Sequence, residues 1–265
     1  MELAVRTLGL NSHIEWQQWG ESDPLWGILA APGKRKTDPD AWTKADFYKT
    51  GLNDWHDFEK QWRQYGFLNN SCVDIGCGTG RITGGIAAAF KLAYAVDVSD
   101  AMLNYARDNL QSSNVTYCLT KGSVIPLENT SVTCAFSFLV FRHLDGLKEA
   151  LQYFAEIYRV LTPKGTMMIE LPIYSLPAFH GLFSLCYSLR KSLGTIRAKC
   201  KRLLLARGRG KPFFRAQCYN YLWLQENLTT IGFTDIEIRS FPRSSANEWH
   251  SFVLARKPKV STSSG

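Results

Sequence analysis

Apolar and polar positions in the middle of the chain alternate between short β-prone runs and stretches with helical spacing. The apolar run at residues 72–75 ends in three glycines, and apolar residues then recur at Ile82 and Ile86. The next apolar run, at residues 92–96, stops at Asp97. This repeated order of strand and helix predicts an α/β fold built on a parallel sheet, because parallel strands need a crossover connection between them.

Composition divides the chain into segments with different predicted roles. The N-terminal segment holds six of the eight tryptophans and is predicted to form a helical cap, with most of the tryptophans in core packing. Near the C-terminus, the pattern predicts a helix followed by strands at 235–241 and 249–256. The predicted segments are the cap 1–68, the core 69–172, a basic helical insertion 173–215, the C-terminal helix and strands 216–258, and a disordered tail 259–265.

Three alternate glycines follow the first predicted strand, at positions 76, 78 and 80. Glycine allows positive φ angles and lets a ligand approach the backbone closely. The helix that follows offers unpaired N–H groups at its N-terminus, and Asp97 at the next strand tip can accept both ribose hydroxyls of a nucleoside. The dinucleotide fingerprint places its third glycine one residue later, where Arg81 stands. The pattern favours a nucleoside cofactor other than a dinucleotide, and a plain tight turn is the alternative.

This glycine pattern resembles motif I of the class I methyltransferases that use S-adenosyl-L-methionine (SAM). Further stretches resemble other signatures of the same family in the same order, and together they cover residues 72–171. The resemblance is to the type 11 group, which includes quinone and sugar methyltransferases, and the two C-terminal strands resemble the antiparallel hairpin of its sheet. The further stretches are Ala95–Leu103, Gly122–Leu127, Phe141–Asp145 and Tyr158–Gly165.

The resemblance implies a Rossmann-like sheet of seven strands with helices on both faces, and SAM as the cofactor. The chain departs from the family pattern at Ser123, where an acidic residue usually contacts the adenine amino group, and at Thr133, where an aspartate is usual. The cofactor-binding residues that the resemblance implies are Tyr48, Asp74, Gly76, Gly78, Gly80, Arg81, Asp97, Val98, Met102, Ser123, Val124 and Leu139.

Residues 46–51 resemble the family segment that lies over the methionine end of SAM. Tyr48 is therefore expected near the sulfonium, and Arg81 near the cofactor carboxylate. Methyl transfer to an alcohol or phenol also needs a base. His143, just past the fourth predicted strand, matches the histidine that serves as base in some sugar O-methyltransferases, and a purely structural histidine is the alternative.

Glu170 ends the fifth predicted strand. It is a candidate to orient His143 or to bind an acceptor hydroxyl, with an outward-facing strand end as the alternative. No cluster of His, Asp and Glu has the spacing of metal ligands, so no metal site is predicted. The seven cysteines contain no C-x-x-C pair, which argues against a zinc site of that type.

Residues 171–225 contain ten Lys or Arg and no Asp or Glu, so the net charge of +8 comes from this stretch. Apolar residues at helical spacing predict one or two basic amphipathic helices. The alternatives are a solvated lid over the active site, an anionic membrane surface, or an acidic substrate. Nucleic acid is the least favoured partner, because residues 136–141 do not contain the N/D-P-P-Y/F element of base N-methyltransferases.

These observations together predict a SAM-dependent methyltransferase that methylates an oxygen of a small-molecule, lipid or glycan acceptor. The alternatives are N- or C-methylation of a metabolite or RNA, and an inactive SAM-binding scaffold. The chain contains no run of 18 apolar residues and no signal-peptide h-region, so a cytoplasmic protein is expected, with peripheral membrane contact as a further option.

Overall fold

The computed structural model describes residues 12–174, 217–246 and 248–259. Most of the basic insertion predicted at 173–215, and all but the first residue of the tail predicted at 259–265, lie outside the described residues. None of the described helices is long and apolar enough to cross a membrane.

A seven-stranded sheet forms the centre of the described chain. Its strands are β1 (Ser71–Ile75), β2 (Leu92–Asp97), β3 (Val115–Leu119), β4 (Val132–Ser137), β5 (Leu161–Glu170), β8 (Thr234–Pro242) and β9 (Trp249–Arg256). They lie in the order β3-β2-β1-β4-β5-β9-β8, and the first five are parallel. β9 pairs antiparallel with both β5 and β8. This sheet confirms the predicted Rossmann-like architecture.

Helices flank the sheet and precede it. They are α1 (Ser12–Ser22), α2 (Pro24–Ile28), α3 (Lys44–Tyr65), α4 (Thr83–Ala89), α5 (Asp100–Asn109), α6 (Leu147–Val160) and α7 (Tyr221–Ile231), with a short 3-10 turn at Phe141–His143. Two short strands, β6 (Ile173–Tyr174) and β7 (Tyr219–Asn220), pair with each other in parallel. Residues 173–174 and 219–220, on either side of the undescribed segment 175–216, therefore lie next to each other.

Helix α3 carries two of the six tryptophans of the N-terminal segment and packs on the sheet. Thr43 caps its N-terminus by accepting a hydrogen bond from Asp46 N at 3.1 Å. Its buried side chains include Phe58 and Trp62, which pack against Phe136 of β4. Trp55, Phe58 and Trp62 of α3 belong to one core cluster, together with alternate residues of β1, β4, β5 and β9. Other residues of these strands face a second cluster. The predicted cap is therefore partly a layer of the core.

The sheet also fixes where a ligand can enter. β1 connects through α4 to β2 on one side, whereas β4 lies on its other side, so the strand order reverses between β1 and β4. A reversal of this kind opens a crevice at the carboxyl ends of the strands.

Candidate active site

The turn between β1 and α4 has a backbone that requires glycine. Gly76, Gly78 and Gly80 have φ angles of +70°, +54° and +80°, in the left-handed region. A β-carbon on Gly76 would lie 2.3 Å from Val140 Cγ2, so the turn packs directly against the chain that follows β4. Gly80 N donates to Cys77 O at 2.9 Å, which closes the turn.

Asp97, at the end of β2, holds this turn from the neighbouring strand. Its buried carboxylate accepts hydrogen bonds from Gly78 N at 2.8 Å and from Ser99 N at 2.9 Å. Burial raises the pKa of Asp97 above its ordinary value, although these two N–H donors act in the opposite direction. The glycine turn and the acidic strand tip therefore form one hydrogen-bonded unit.

A cavity of about 430 Å³ opens beside this unit, at the carboxyl ends of the parallel strands. The structure brings seven of the residues singled out from the sequence into its lining. These are Asp74, Gly76, Arg81, Asp97, Val98, Leu139 and His143.

The adenine-side residues implied by the family resemblance lie elsewhere. Ser123 Oγ donates to Gln152 Oε1 at 3.1 Å, and the Val124 side chain is exposed, so neither belongs to the cavity lining. Met102 is buried within α5 and is also absent from the lining. Thr120 takes a lining position instead, with its N–H donating to Asp97 O at 2.9 Å. Its place directly after the tip of β3 is the sequence signal that identifies such a residue.

The N-terminal segment also closes the cavity, though through a different stretch from the one expected. The Tyr48 hydroxyl donates to Thr79 O at 2.8 Å, and Tyr48 is absent from the lining. Residues 27–30, together with His13 and Trp16, form this part of the wall. α3 is engaged in packing on the sheet, so the shorter helices before it reach the mouth of the cavity.

Asp74 is a buried carboxyl group near the end of β1. It accepts a hydrogen bond from Thr83 Oγ1 at 2.6 Å and lines the cavity. Burial, with the nearby Asp97 acting in the same direction, raises the pKa of Asp74 to about 7 against the opposing effects of Thr83 and Arg81. Its charge therefore changes close to neutral pH.

Two buried arginines share one carboxylate beside the glycine turn. Asp54 Oδ2 of α3 accepts from Arg81 Nη1 at 2.7 Å and from Arg243 Nη1 at 2.9 Å. Burial lowers the pKa of Arg81, and the like charge of Arg243 adds to this effect, while Asp54 opposes it. Among the described residues, Arg81 Nε and Nη2 and Arg243 Nε have no hydrogen-bond partner. Both arginines line the cavity, so this recess is suited to an anionic group.

Glu170 lies at the end of β5 and is buried, so the alternative of an outward-facing strand end is wrong. Its Oε1 accepts from His250 Nδ1 at 3.0 Å and from Arg142 Nη2, while Oε2 accepts from Leu139 N at 3.2 Å. Burial acts to raise the pKa of Glu170, but the hydrogen bond from His250 and the Arg142 guanidinium bring it below its ordinary value. Glu170 is therefore a charged hub for Arg142 and His250, both of which line the cavity.

His143 lies in the 3-10 turn after β4 and lines the same end of the cavity. Its ring meets the Trp16 ring edge to face, with the ring centroids 5.3 Å apart. Within residues 12–174, 217–246 and 248–259, no group of three His, Cys, Asp or Glu side chains is arranged to hold a metal ion.

Comparison with known proteins places this site in a class. Residues 73–169 match the family model of a methyltransferase domain. Demethylmenaquinone methyltransferase of Chlamydia pneumoniae is 35% identical over 101 residues, covering 37% of this chain and 43% of that protein. Malonyl-acyl-carrier-protein O-methyltransferase of Methylococcus capsulatus is 31% identical over 98 residues, covering 36% and 34%. The chain thus spans less than half the length of either relative.

Solved structures agree on the fold. Magnesium protoporphyrin IX methyltransferase of Synechocystis PCC 6803, with bound SAH, aligns with a TM-score of 0.55 and 16% identity over 88% of this chain and 93% of that chain. The strand order and the glycine turn therefore define a Rossmann-like methyltransferase fold. Residues 73–169 form a class I SAM-dependent methyltransferase domain of the type 11 group, which confirms the resemblance found in the sequence.

Proposed function

We propose that this chain transfers the methyl group of SAM to a hydroxyl oxygen of a small-molecule, lipid or glycan acceptor. One observation carries the proposal. The cavity that contains Asp97 and the glycine turn also contains Arg142, His143 and His250, so groups suited to a nucleoside and groups suited to a polar acceptor share one space.

The residues present fit the cofactor. Asp97, at the tip of β2, would accept the ribose hydroxyls, and Val98 and Thr120 line the cavity with it. Gly76 lines the cavity, and its position cannot carry a side chain, because a β-carbon there would collide with Val140. The unpartnered N–H groups of Arg81 suit the methionine carboxylate, since a buried guanidinium is stabilised by an anion. When bound, SAM supplies the electrophilic methyl group.

The acceptor would lie at the end of the cavity formed after β4 and at the start of β9. Arg142, His143 and His250 line this end. Transfer to a neutral hydroxyl needs a group that removes its proton, and histidine is the residue that most often does so. His143 is the candidate from the sequence, and the contacts of His250 support a second assignment.

Asp97 provides the test of cofactor binding. Asp97→Ala removes a charged hydrogen-bonding partner, a loss of about 1.5–3 kcal/mol, so titration calorimetry should show about 10- to 150-fold weaker binding of S-adenosylhomocysteine (SAH). Asp100→Ala is the matched control, because Asp100 is an exposed carboxylate in the first turn of α5. Equal affinity of Asp97→Ala and the parent protein would remove Asp97 from the site, and tight NADH binding without SAM binding would overturn the class of cofactor.

Activity is tested with methyl-tritiated SAM and a membrane-plus-metabolite extract as the source of acceptors. A labelled product is expected from the parent protein, and chemical analysis of the product separates O- from N- and C-methylation. A protein that binds SAM but labels nothing in any extract would support the alternative of an inactive SAM-binding scaffold.

A further inference from the structure

His250 is a buried histidine that the sequence analysis did not single out. It lies in β9, opposite Phe241 of β8, and it lines the acceptor end of the cavity. Its Nδ1 lies 3.0 Å from Glu170 Oε1. Its Nε2 is buried and makes no hydrogen bond with any described residue. The Glu248 Oε2 atom lies 3.7 Å from Nε2.

The contact with Glu170 determines which ring nitrogen carries the proton. A carboxylate only accepts hydrogen bonds, so a 3.0 Å contact with Glu170 Oε1 requires a proton on His250 Nδ1. Arg142 Nη2 lies 3.4 Å from the same nitrogen, but it donates to Glu170, and two donors do not bond to each other. In the neutral ring, Nε2 is therefore the nitrogen with the free lone pair.

The surroundings of the ring keep this arrangement fixed. The Phe138 ring lies against His250 with the centroids 5.2 Å apart, and the β8–β9 ladder holds the backbone. The charged groups around the ring come from three elements: Glu170 from β5, Arg142 from the 3-10 turn, and Glu248 from the β8–β9 connection. A base held in one orientation by a carboxylate is the arrangement used in catalytic dyads and triads.

We propose that His250 Nε2 accepts the proton of the acceptor hydroxyl, with Glu170 as its positioning residue; this assignment rests on the proposed function. The acceptor oxygen forms a bond to the methyl carbon while the carbon–sulfur bond of SAM breaks and its electron pair moves to sulfur. The hydroxyl proton moves to Nε2, and the imidazolium, stabilised by Glu170, then releases it to solvent. The products are the methyl ether, SAH and one proton.

The first test needs no acceptor. Long-range ¹H–¹⁵N NMR of SAH-bound protein with ring-labelled histidine, in mildly alkaline buffer, reports which nitrogen is protonated, and the signal that disappears in His250→Gln identifies the residue. The parent protein should carry the proton on Nδ1. Glu170→Gln should shift the population towards a proton on Nε2, because the amide donates as well as accepts. A proton on Nε2 in the parent protein overturns the proposal.

The second test measures transfer of labelled methyl to the extract. His250→Gln should lower the rate by about 10²- to 10⁴-fold with unchanged SAH affinity, the usual contribution of a general base. His56→Gln, an exposed histidine of α3, is the matched control. Loss of transfer in His143→Gln together with a normal rate in His250→Gln would assign the base to His143 and overturn the proposal. If the parent protein labels nothing, the proposed function fails, and the NMR measurement still decides the protonation state of His250.

Discussion

At the scale of single residues, the carboxyl groups near the strand ends differ in charge because their partners differ. Asp74 and Asp97 are buried beside backbone and hydroxyl donors, and burial raises the pKa of both. Glu170 is equally buried, but Arg142 and His250 donate to it and lower its pKa. Asp74 therefore titrates near neutral pH, whereas Glu170 stays ionised at neutral pH.

The raised pKa of Asp74 predicts a pH-dependent stability. Because this pKa rises from 3.8 to about 7 on folding, the folded protein binds more protons than the unfolded chain between these values. The contribution of Asp74 to stability is thus complete below the lower value and is lost as pH rises towards the upper one. The melting temperature of Asp74→Asn, relative to that of the ligand-free parent protein, should therefore rise with pH through this range. Above this range the difference should stay constant.

Thermal denaturation at constant ionic strength checks this expectation. Asp74→Asn keeps an oxygen that can accept from Thr83, so the comparison isolates the ionisation. Asp100→Asn serves as the control, since it removes an exposed carboxyl group from α5. A difference in melting temperature between Asp74→Asn and the parent that stays constant with pH would contradict the assignment.

At the scale of elements, helix α3 links the N-terminal segment to both the sheet and the glycine turn. Trp62 Nε1 donates to Thr166 Oγ1 of β5 at 3.1 Å, which fixes the helix on the sheet. Nearer its N-terminus, Gly51 faces the backbone of Arg81, with no room for a side chain between them. The helix therefore sets the position of Arg81 by direct backbone contact.

Gly51→Ala tests this contact. The new β-carbon would lie 2.0 Å from Arg81 O, and a backbone atom has little freedom to move, so a loss of about 1–3 kcal/mol is expected in urea denaturation. This expected loss of stability is opposite in sign to the effect of helix propensity, which favours alanine over glycine by about 1 kcal/mol. Gly84→Ala in α4 is the control, because its β-carbon would meet only Leu110 Cδ2 at 3.3 Å. Equal stability of the two variants would show that α3 tolerates displacement from the turn.

At the scale of the whole molecule, Asp54 joins three distant parts of the chain. It lies on α3 and binds Arg81 of the glycine turn and Arg243 of the β8–β9 connection, and all three side chains are buried. Ser245 Oγ also donates to it. A buried carboxylate between two guanidinium groups cannot be removed without leaving unpaired charge in a medium of low dielectric constant.

Asp54→Ala should therefore destabilise the protein by about 3–5 kcal/mol, the usual cost of leaving a buried charge without its partner. SAH affinity should fall as well, since Arg81 loses its anchor. Asp57→Ala is the matched control, because Asp57 binds Ser244 of the same connection through exposed hydrogen bonds at 2.7 and 2.9 Å. If urea denaturation gives the two variants the same free energy of unfolding, Asp54 does not hold the three parts together.

The net positive charge of the chain is also a property of the whole molecule. All ten basic residues of 171–225 lie in segment 175–216, outside the described residues. The strands on either side of this segment, β6 and β7, pair with each other. Pro172 and Gln217, which flank this segment, both line the cavity. The residues that flank the segment therefore belong to the candidate site, and ten positive charges in one segment attract anions.

Replacing Lys199, Lys201 and Arg202 with Glu tests which partner the positive charge attracts. If it serves an anionic bilayer, the parent protein should sediment with acidic but not neutral vesicles, and salt should release it, because the attraction decays over about 8 Å at physiological ionic strength. The triple variant should lose this binding and keep its SAH affinity. A raised KM of the triple variant, without vesicle binding by the parent protein, would indicate an acidic soluble substrate. No change in either measurement would support the remaining interpretation of a solvated lid.

Local patterns in the sequence were enough to predict the order of strands and helices, the glycine turn and the acidic residue at the tip of β2. Each of these depends on properties of a short stretch of chain. Burial of an element follows its apolar periodicity, and the left-handed φ angles of Gly76, Gly78 and Gly80 are open to glycine at little cost. Gly78 and Asp97 also belong to one strand–helix–strand unit, so the motif alone places both at the same edge of the sheet.

The partners of the buried charged groups depend on the tertiary structure and could not be predicted from local patterns. Glu170 binds His250, 80 residues later, and Asp54 binds Arg243, 189 residues later. Such contacts follow from the register of β9 on β5 and from the path of the connection before it, and no periodicity within one element encodes either. The same reason explains why Thr120 and residues 27–30 line the cavity in place of Ser123 and Tyr48. The tips of parallel strands line the site because these strands end at one edge of the sheet. Which loops and short helices line it depends on how all the other elements pack around the sheet.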